Sequence, residues 1–348
     1  MVGSRVLVFS PGRKPGGASG TWGVTNGSVP NHVISMRPWS GGPDAPGGDE
    51  VKQGAIISLV LVLFVTTALV VQSGLPWIRS QDVLLHSGGV TLAATLALPR
   101  WKQGPFPAMV IVHGSGPTRR RDQRGYVRRL VPHGIAVLLY DKRGVGASGG
   151  TYGVVGVSDS EERIGRLADD AVAAASWLKG HAEIDPQRIG LLGGSQAGWI
   201  MPLAASRSEA VRFVVSISGP AVTVGQEIHY SRLTGSDPGT YVDLSDGEIQ
   251  RRMAEFDGPH GYDPAPALEA MKVPSLWILG GQDRSVPTEL TVRALQALKE
   301  RRPGQFEFHV FPQGNHAIRD AHTGRSIDYW VPIHRWLQER HLVGPPGG

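Results

Sequence analysis

Short, uninterrupted apolar runs separated by helical stretches constrain this chain more than any other feature. Pro107–His113 (PAMVIVH) and Ile135–Tyr140 (IAVLLY) carry apolar side chains with almost no alternation. A strand with one wet face alternates apolar and polar residues, whereas a strand covered on both faces does not, which is the pattern of a buried parallel sheet. Ile189–Leu192, Phe213–Ile217, Ser275–Leu279 and Phe306–Phe311 read as further strands. Between them lie helical patterns at Glu161–Lys179, Gln196–Ala205, Thr288–Glu300 and Ile327–Arg340. The first shows one apolar stripe, with Ile164, Leu167, Ala168, Ala171, Val172, Ala175 and Leu178 at helical spacing. Asp82–His86 and Val90–Leu98 alternate around Ser87-Gly-Gly89, as a β-hairpin does. Strand–helix alternation over residues 79–342 predicts an α/β domain, its sheet covered by helices on both faces. A length of 348 residues, 41% hydrophobic, accommodates one such domain. Ala221–Ala270 breaks the rhythm with polar, Gly, Pro and Asp-rich sequence and is expected to form an inserted cap. The tail, residues 343–348, is expected to be flexible.

The first 54 residues are expected to lie outside this fold. Residues 1–50 contain 11 Gly and 6 Pro, a composition that supports no packed core. Met36 and Val51 are alternative starts. From Gly54 through Ile78 there are 25 residues without a charge. A helix needs about 20 mostly apolar residues to cross a bilayer, so residues 55–78 read as a transmembrane helix or signal peptide. Arg5, Arg13, Lys14, Arg37 and Lys52 precede the run and place the N-terminus in the cytoplasm. The following domain is then membrane-anchored outside the cytoplasm, or secreted or periplasmic if cleavage occurs near Val71-Gln-Ser73. The absence of cysteine excludes disulfides, Cys-ligated metal, a thiol nucleophile and a lipid-modified cysteine anchor. A net charge of +5 does not by itself imply nucleic-acid binding.

Residues suited to chemistry sit at strand ends. In Leu192-Gly-Gly-Ser195-Gln-Ala-Gly198 a serine follows a strand and opens a helix, flanked by small residues. Such a turn lifts the hydroxyl out of the sheet. The usual spacing is G-x-S-x-G, and Ala197 stands where the last glycine is expected. Asp283 follows another strand in Gly-Gly-Gln-Asp283, and His316 follows the last strand in Gly-Asn-His316. A neutral serine is a weak nucleophile; a histidine can take its proton, and a carboxylate can hold that histidine's tautomer. The order Ser195, Asp283, His316 is that of the triad on α/β sheets. Val112-His-Gly-Ser-Gly-Pro117 follows the PAMVIVH strand. Backbone N–H groups stabilise the oxyanion of acyl transfer. Gln196 and Ser115, ahead of Gly114, are the expected donors. Ser115 is not read as the nucleophile, because no helix follows it promptly, and His113 is read as a loop brace.

HGSGP, Tyr140-Asp-Lys-Arg-Gly-Val-Gly-Ala-Ser148, GGSQAG, GGQD and GNH together resemble the α/β-hydrolase superfamily, and most closely its bacterial serine esterases. The nearest branches are those of dienelactone hydrolases, acyl-CoA thioesterases and serine aminopeptidases. The resemblance implies a mostly parallel eight-stranded sheet and a serine hydrolase without cofactor, and it casts Asp141 and Arg143 as loop braces. The expected substrate is a small-molecule acyl ester, or alternatively a thioester or N-terminal peptide. A catalytically silent binding module is the reading from another class, and no triad member is missing to support it. Gly144-Val-Gly-Ala-Ser-Gly149 matches a dinucleotide fingerprint, but no helix pattern follows at once. No histidine pair has metal-site spacing. The cluster Arg119–Arg129 reads either as a solvated face or as a contact for an anionic substrate group or membrane headgroups. Few aromatics interleave it, so no nucleic-acid partner is expected.

Overall fold

The computed structural model describes residues 77–237 and 243–343. The hairpin comes first: β1 (Ile78–Ser87) and β2 (Val90–Pro99) pair antiparallel with Ser87 opposite Val90. Gly88 and Gly89, at φ +51° and +75°, make the two-residue turn that matches strand twist. β3 (Phe106–Val112), β4 (Ala136–Tyr140), β5 (Ile184–Gly194), β6 (Phe213–Ile217), β7 (Ser275–Gly280) and β8 (Phe306–Phe311) complete one eight-stranded sheet of order β1-β2-β4-β3-β5-β6-β7-β8. β4, β3 and β5 through β8 are parallel; β2 is the reversed strand, antiparallel to both β1 and β4. This is the α/β-hydrolase arrangement. Every residue of β3, β4, β6 and β7 is buried, which is why their sequences do not alternate.

Helices cover both faces. α1 (Arg124–Leu130) and α8 (Trp330–Glu339) pack Val127, Leu130, Trp330, Ile333, Trp336 and Leu337 on one face. α2 (Ser160–Lys179), α3 (Ala197–Arg207) and α7 (Thr288–Arg301) cover the other, with Ile164, Ala168, Ala171, Ala175 and Leu178 as the buried stripe of α2. The described residues of segment 221–270 form three helices: α4 (Val224–Leu233), α5 (Asp246–Ala254) and α6 (Ala265–Ala270). Its irregular look in sequence hid two helix starts. Thr223 and Gln226 form a capping box, and Ser245 Oγ accepts from the Glu248 N–H at 3.3 Å.

Two predicted boundaries change. Ile78, assigned in sequence to the end of the uncharged run, is the first residue of β1. Val343, assigned to the tail, is buried in the α1/α8 core because an apolar side chain there closes the layer. The predicted disordered segment, the predicted span at 55–76 and tail residues 344–348 lie outside the described residues. Among the described residues no helix is long and apolar enough to cross a membrane.

The chain runs outward from β3 to β4, then crosses back to place β5 on the other side of β3. Parallel sheets open a crevice at such a reversal, at the carboxyl ends of the strands. The loops after β3 and β5 meet there.

One buried ion pair ties the layers. Arg143, just past β4, donates Nε–H to Asp170 Oδ2 on α2 at 3.0 Å and Nη2–H to Asp170 Oδ1, and it also reaches Ser87 Oγ at the hairpin. Asp170 is fully buried. Burial pushes its carboxyl pKa up, against the pull of Arg143 and Ser87. Removing Arg143 strands that carboxylate. Arg143→Ala is expected to lower unfolding free energy by about 3–5 kcal/mol in urea titrations. A loss below about 1 kcal/mol would show that the pair is not a structural tie.

Candidate active site

Ser195 follows β5 with φ +56°, in the left-handed region. Its N–H is held by Ile217 O at 2.9 Å, and its C=O starts the next helix by accepting from Gly198 N–H at 2.8 Å. A side chain forced into that conformation by an ordered strand and helix stands proud of the sheet. Crowding explains the small residues on either side. A Cβ on Gly193 would stand 2.5 Å from Val112 O and 2.6 Å from the Ala197 Cβ. Glycine at 193 therefore leaves the room that Ala197 uses, and the departure from the glycine spacing costs the turn nothing.

Asp283 and His316 meet across the ends of β7 and β8. His316 Nδ1 donates to Asp283 Oδ2 at 2.8 Å. The second oxygen, Oδ1, accepts from the N–H groups of Ser285 at 2.7 Å and Val286 at 2.9 Å. Asp283 is buried, while His316 keeps about a third of its side chain exposed. Burial would lower the His316 pKa, but the Asp283 bond and the charges of Asp283 and Glu227 outweigh it, so the pKa is raised. Among the described residues Ser195 Oγ makes no hydrogen bond to His316. Such a bond commonly tightens only around substrate.

The loop after β3 lies against Ser195: a Cβ on Gly114 would stand 3.7 Å from the Ser195 Cβ. Lys142 organises this loop. It is buried after β4, and its Nζ donates to Gly114 O at 2.6 Å, Ser115 O at 3.2 Å, Gly116 O at 3.4 Å and Gln196 Oε1 at 3.0 Å. Tyr152 Oη donates to Ser115 O at 2.8 Å. In a planar trans peptide C=O and N–H point in opposite directions. Turning the Gly114 carbonyl toward Lys142 therefore turns the Ser115 N–H away from it. Among the described residues neither the Ser115 N–H nor the Gln196 N–H has a protein acceptor. Two unused donors at the carboxyl edge of a sheet are groups that require a partner. Burial pushes the Lys142 ammonium down to about 8, so it is mostly charged at neutral pH.

The remaining predicted residues sit beneath these loops. His113 is buried, donates from Nε2 to Tyr140 O at 2.7 Å and packs edge-on against Tyr140. Burial holds its pKa down to about 4, so it is neutral. Asp141 accepts from Arg120 N–H at 2.7 Å, Arg120 Nη1 at 2.8 Å and Ala147 N–H at 2.9 Å. The glycines of 144–149 do not open a helix; Gly144 N–H bonds Gly149 O at 2.8 Å, and Gly149 N–H bonds Thr91 O at 2.8 Å, so the loop folds back on the hairpin.

Sequence reasoning passed over Lys142 and Glu227. The signal for Lys142 was its place between two charged residues at the end of a buried strand. For Glu227 it was the Thr223–Gln226 capping box, which starts α4 and sets Glu227 and Tyr230 one turn apart on one side. Tyr230 Oη donates to Asp283 O at 2.7 Å, docking that side on the acid loop. Glu227 acts electrostatically on both His316 and Asp283, and its carboxyl is pushed up to about 7, mainly by burial. His229, on the same helix, packs against Phe256 with ring centroids 5.0 Å apart.

The chain is similar to proteins of known class. The sequence profile of the prolyl oligopeptidase family matches residues 125–340, which include Ser195, Asp283 and His316. An uncharacterized protein of Mycobacterium tuberculosis is 27% identical over 247 residues, covering 71% of this chain and 75% of that protein. Esterase EstD of Thermotoga maritima is 29% identical over 220 residues, 56% of this chain and 50% of that protein. Among solved structures, the Pyrococcus furiosus esterase Pf2001 superposes with a TM-score of 0.55 at 19% identity, covering 75% of this chain and 93% of that one. A dienelactone hydrolase homologue from Klebsiella pneumoniae gives 0.52 at 17%, covering 75% and 97%. At such identities the structural likenesses establish the fold.

The Glu227 charge has a testable consequence. An ionised carboxylate near the imidazole favours its protonated form, so Glu227→Gln is expected to move the His316 titration to lower pH in histidine NMR spectra. An unmoved titration would show that the two groups do not interact.

Proposed function

This chain belongs to the prolyl oligopeptidase family and is a serine hydrolase, and from that premise we propose that it cleaves small carboxylic esters through an acyl-serine intermediate. The observation that carries the proposal is the convergence on one sheet edge of a strained serine, an Asp-braced imidazole and two unused N–H donors. Ser195 Oγ attacks the acyl carbon while His316 Nε2 takes the hydroxyl proton. Asp283 holds the Nδ1–H tautomer and stabilises the imidazolium. The carbonyl oxygen gains negative charge and is met by the N–H groups of Ser115 and Gln196. The tetrahedral carbon collapses, the C–O bond to the alcohol breaks, and His316 gives its proton to the leaving oxygen. Water then attacks the acyl carbon with His316 as base, releasing the acid and restoring Ser195.

Esterase neighbours in both sequence and fold favour an ester over an amide. Cleavage of N-terminal peptides is a second reading, favoured by the match to the prolyl oligopeptidase family over residues 125–340. Aminoacyl nitroanilides against nitrophenyl butyrate decide between them.

We also propose that the uncharged run from residue 55 up to the start of β1 crosses or addresses a membrane, with the hydrolase domain beyond it. Alkaline carbonate is then expected to leave the full chain in the membrane pellet, or export to yield a shortened chain. Full-length protein in the soluble cytoplasmic fraction would overturn this.

Ser195→Ala is expected to lower kcat on a nitrophenyl ester about 10⁴-fold with the fold intact. Lys142→Met frees the oxyanion loop without touching the triad, so kcat is expected to fall about 10²-fold with KM little changed. Equal activity of wild type and Ser195→Ala would remove the acyl-serine mechanism. A Lys142→Met effect confined to KM would remove the role given to the lysine.

A further inference from the structure

An open groove of about 1020 Å³ is lined by none of Ser195, Asp283 or His316. It lies between the start of the hairpin and the segment that leads into α1. Seven arginines line it: Arg79 on β1, Arg100 just past β2, and five from Arg119 to Arg128. Only two carboxylates, Asp82 and Asp141, share that lining, and both face Arg120. Arg79 pairs with Glu183 and Arg121 with Asp122. Among the described residues the guanidinium groups of Arg100, Arg119, Arg124 and Arg128 form no ion pair with a carboxylate; the Asp122 carboxylate meets Arg119 only at its backbone N–H, at 3.0 Å.

A solvated helix face would spread these charges around α1. Here three separate segments turn them into one concavity, and the backbone there is fixed, because Asp141 holds both the N–H and the guanidinium of Arg120. Like charges gathered in a concavity raise its potential and select an anion. Guanidinium groups match phosphate oxygens in particular. The floor is apolar, made by Ile78, Ala97, Val127 and Leu139. A ligand that satisfies both surfaces is anionic and amphipathic.

Two further observations identify the source of such a ligand. Trp77 and Trp101 are both exposed, at 44% and 48%, and sit at the same edge, where Arg100 N–H bonds Trp77 O at 2.9 Å. Exposed tryptophans beside cationic side chains are the composition of a surface that meets lipid headgroups. Moreover, Ile78 and Arg79, which line the cavity, are the residues at which the 25-residue uncharged run ends.

We propose that this groove binds the phosphodiester headgroup of an anionic phospholipid, with Trp77 and Trp101 resting at the lipid surface. Arg100, Arg119, Arg124 and Arg128 supply the charge, and the floor receives the glycerol and the first methylenes. Bound lipid then holds the domain with this edge against the membrane, independently of the acyl-transfer chemistry proposed above.

The test is calorimetric titration of the full chain with monomeric dihexanoyl phosphatidylglycerol, dihexanoyl phosphatidylcholine and inorganic phosphate. The short chains keep membrane insertion out of the measurement. Phosphatidylglycerol is expected to bind most tightly, and to weaken as NaCl rises. Arg124→Gln with Arg128→Gln is expected to weaken it about 30-fold, at roughly one decade or slightly less per surface arginine. Nitrophenyl ester hydrolysis serves as the folding control and is expected to be unchanged; Arg100→Gln with Arg119→Gln provides a second pair. Equal binding by wild type and both paired variants would overturn the site. Equal affinity for the two lipids would overturn headgroup charge as the selected feature. Phosphate binding as tightly as phosphatidylglycerol would overturn the lipid source and leave a free-anion site.

Discussion

Three consecutive charged side chains, buried or nearly so at the end of β4, hold together the loops on which this site depends. Asp141 fixes the start of the arginine segment and closes the glycine loop through Ala147. Lys142 gathers the carbonyls of Gly114, Ser115 and Gly116 and reaches Gln196 across the crevice. Arg143 joins β4 to α2 and to the hairpin. Each group is expensive to bury alone, and each is offset by partners that lie far off in sequence. The arrangement converts one strand end into a clamp on several separate segments. Its consequence for chemistry is indirect but firm. An oxyanion site works only if its donors are already in place when charge develops, and Lys142 fixes the Gly114–Ser115 peptide, which carries one of the donors proposed above.

The second dependence is electrostatic. Asp283 spends one oxygen on two backbone N–H groups and the other on His316, so neither oxygen is free to rotate. α4 then adds Tyr230 on the Asp283 backbone and the Glu227 charge near the ring. A histidine whose pKa is raised is a stronger base toward Ser195 but is lost to protonation at a higher pH. The helical insertion therefore has a share in setting where the imidazole titrates.

Much of this was legible in the sequence because it rests on local pattern. Unalternating runs such as PAMVIVH and IAVLLY announce strands buried on both faces, and Gly88-Gly89 announces a two-residue turn. Ser195, Asp283 and His316 could be singled out because each follows a strand and sits among glycines needed for close approach. What was not legible depends on distance in sequence. Nothing near Lys142 says that its ammonium will meet carbonyls of residues 114–116. The helices of 221–270 were hidden because their composition is polar and turn-rich, although Thr223–Gln226 and Ser245–Glu248 carried cap spacing. Val343 looked like tail because five Gly and Pro residues follow it, yet one apolar side chain was enough to join the core.

The segment from His113 to Leu130 carries two different kinds of order in direct succession. Its first residues present backbone donors and are held from below by a lysine. Its next residues present guanidinium groups to solvent and are held from the side by an aspartate. Lys142 and Asp141 are neighbours on the same strand end, so the two halves share one anchor while facing different ligands. Neutral backbone dipoles suit the acyl carbonyl, whose charge is transient and must be met without prior attraction. Fixed cations suit a permanent anion, which they attract from a distance. Arginines placed at Gly114–Gly116 would instead draw stable anions into the crevice and block it. Separating the two along the chain, with only Pro117 and Thr118 between them, lets one rigid strand end hold both proposed sites without either competing for the other's ligand.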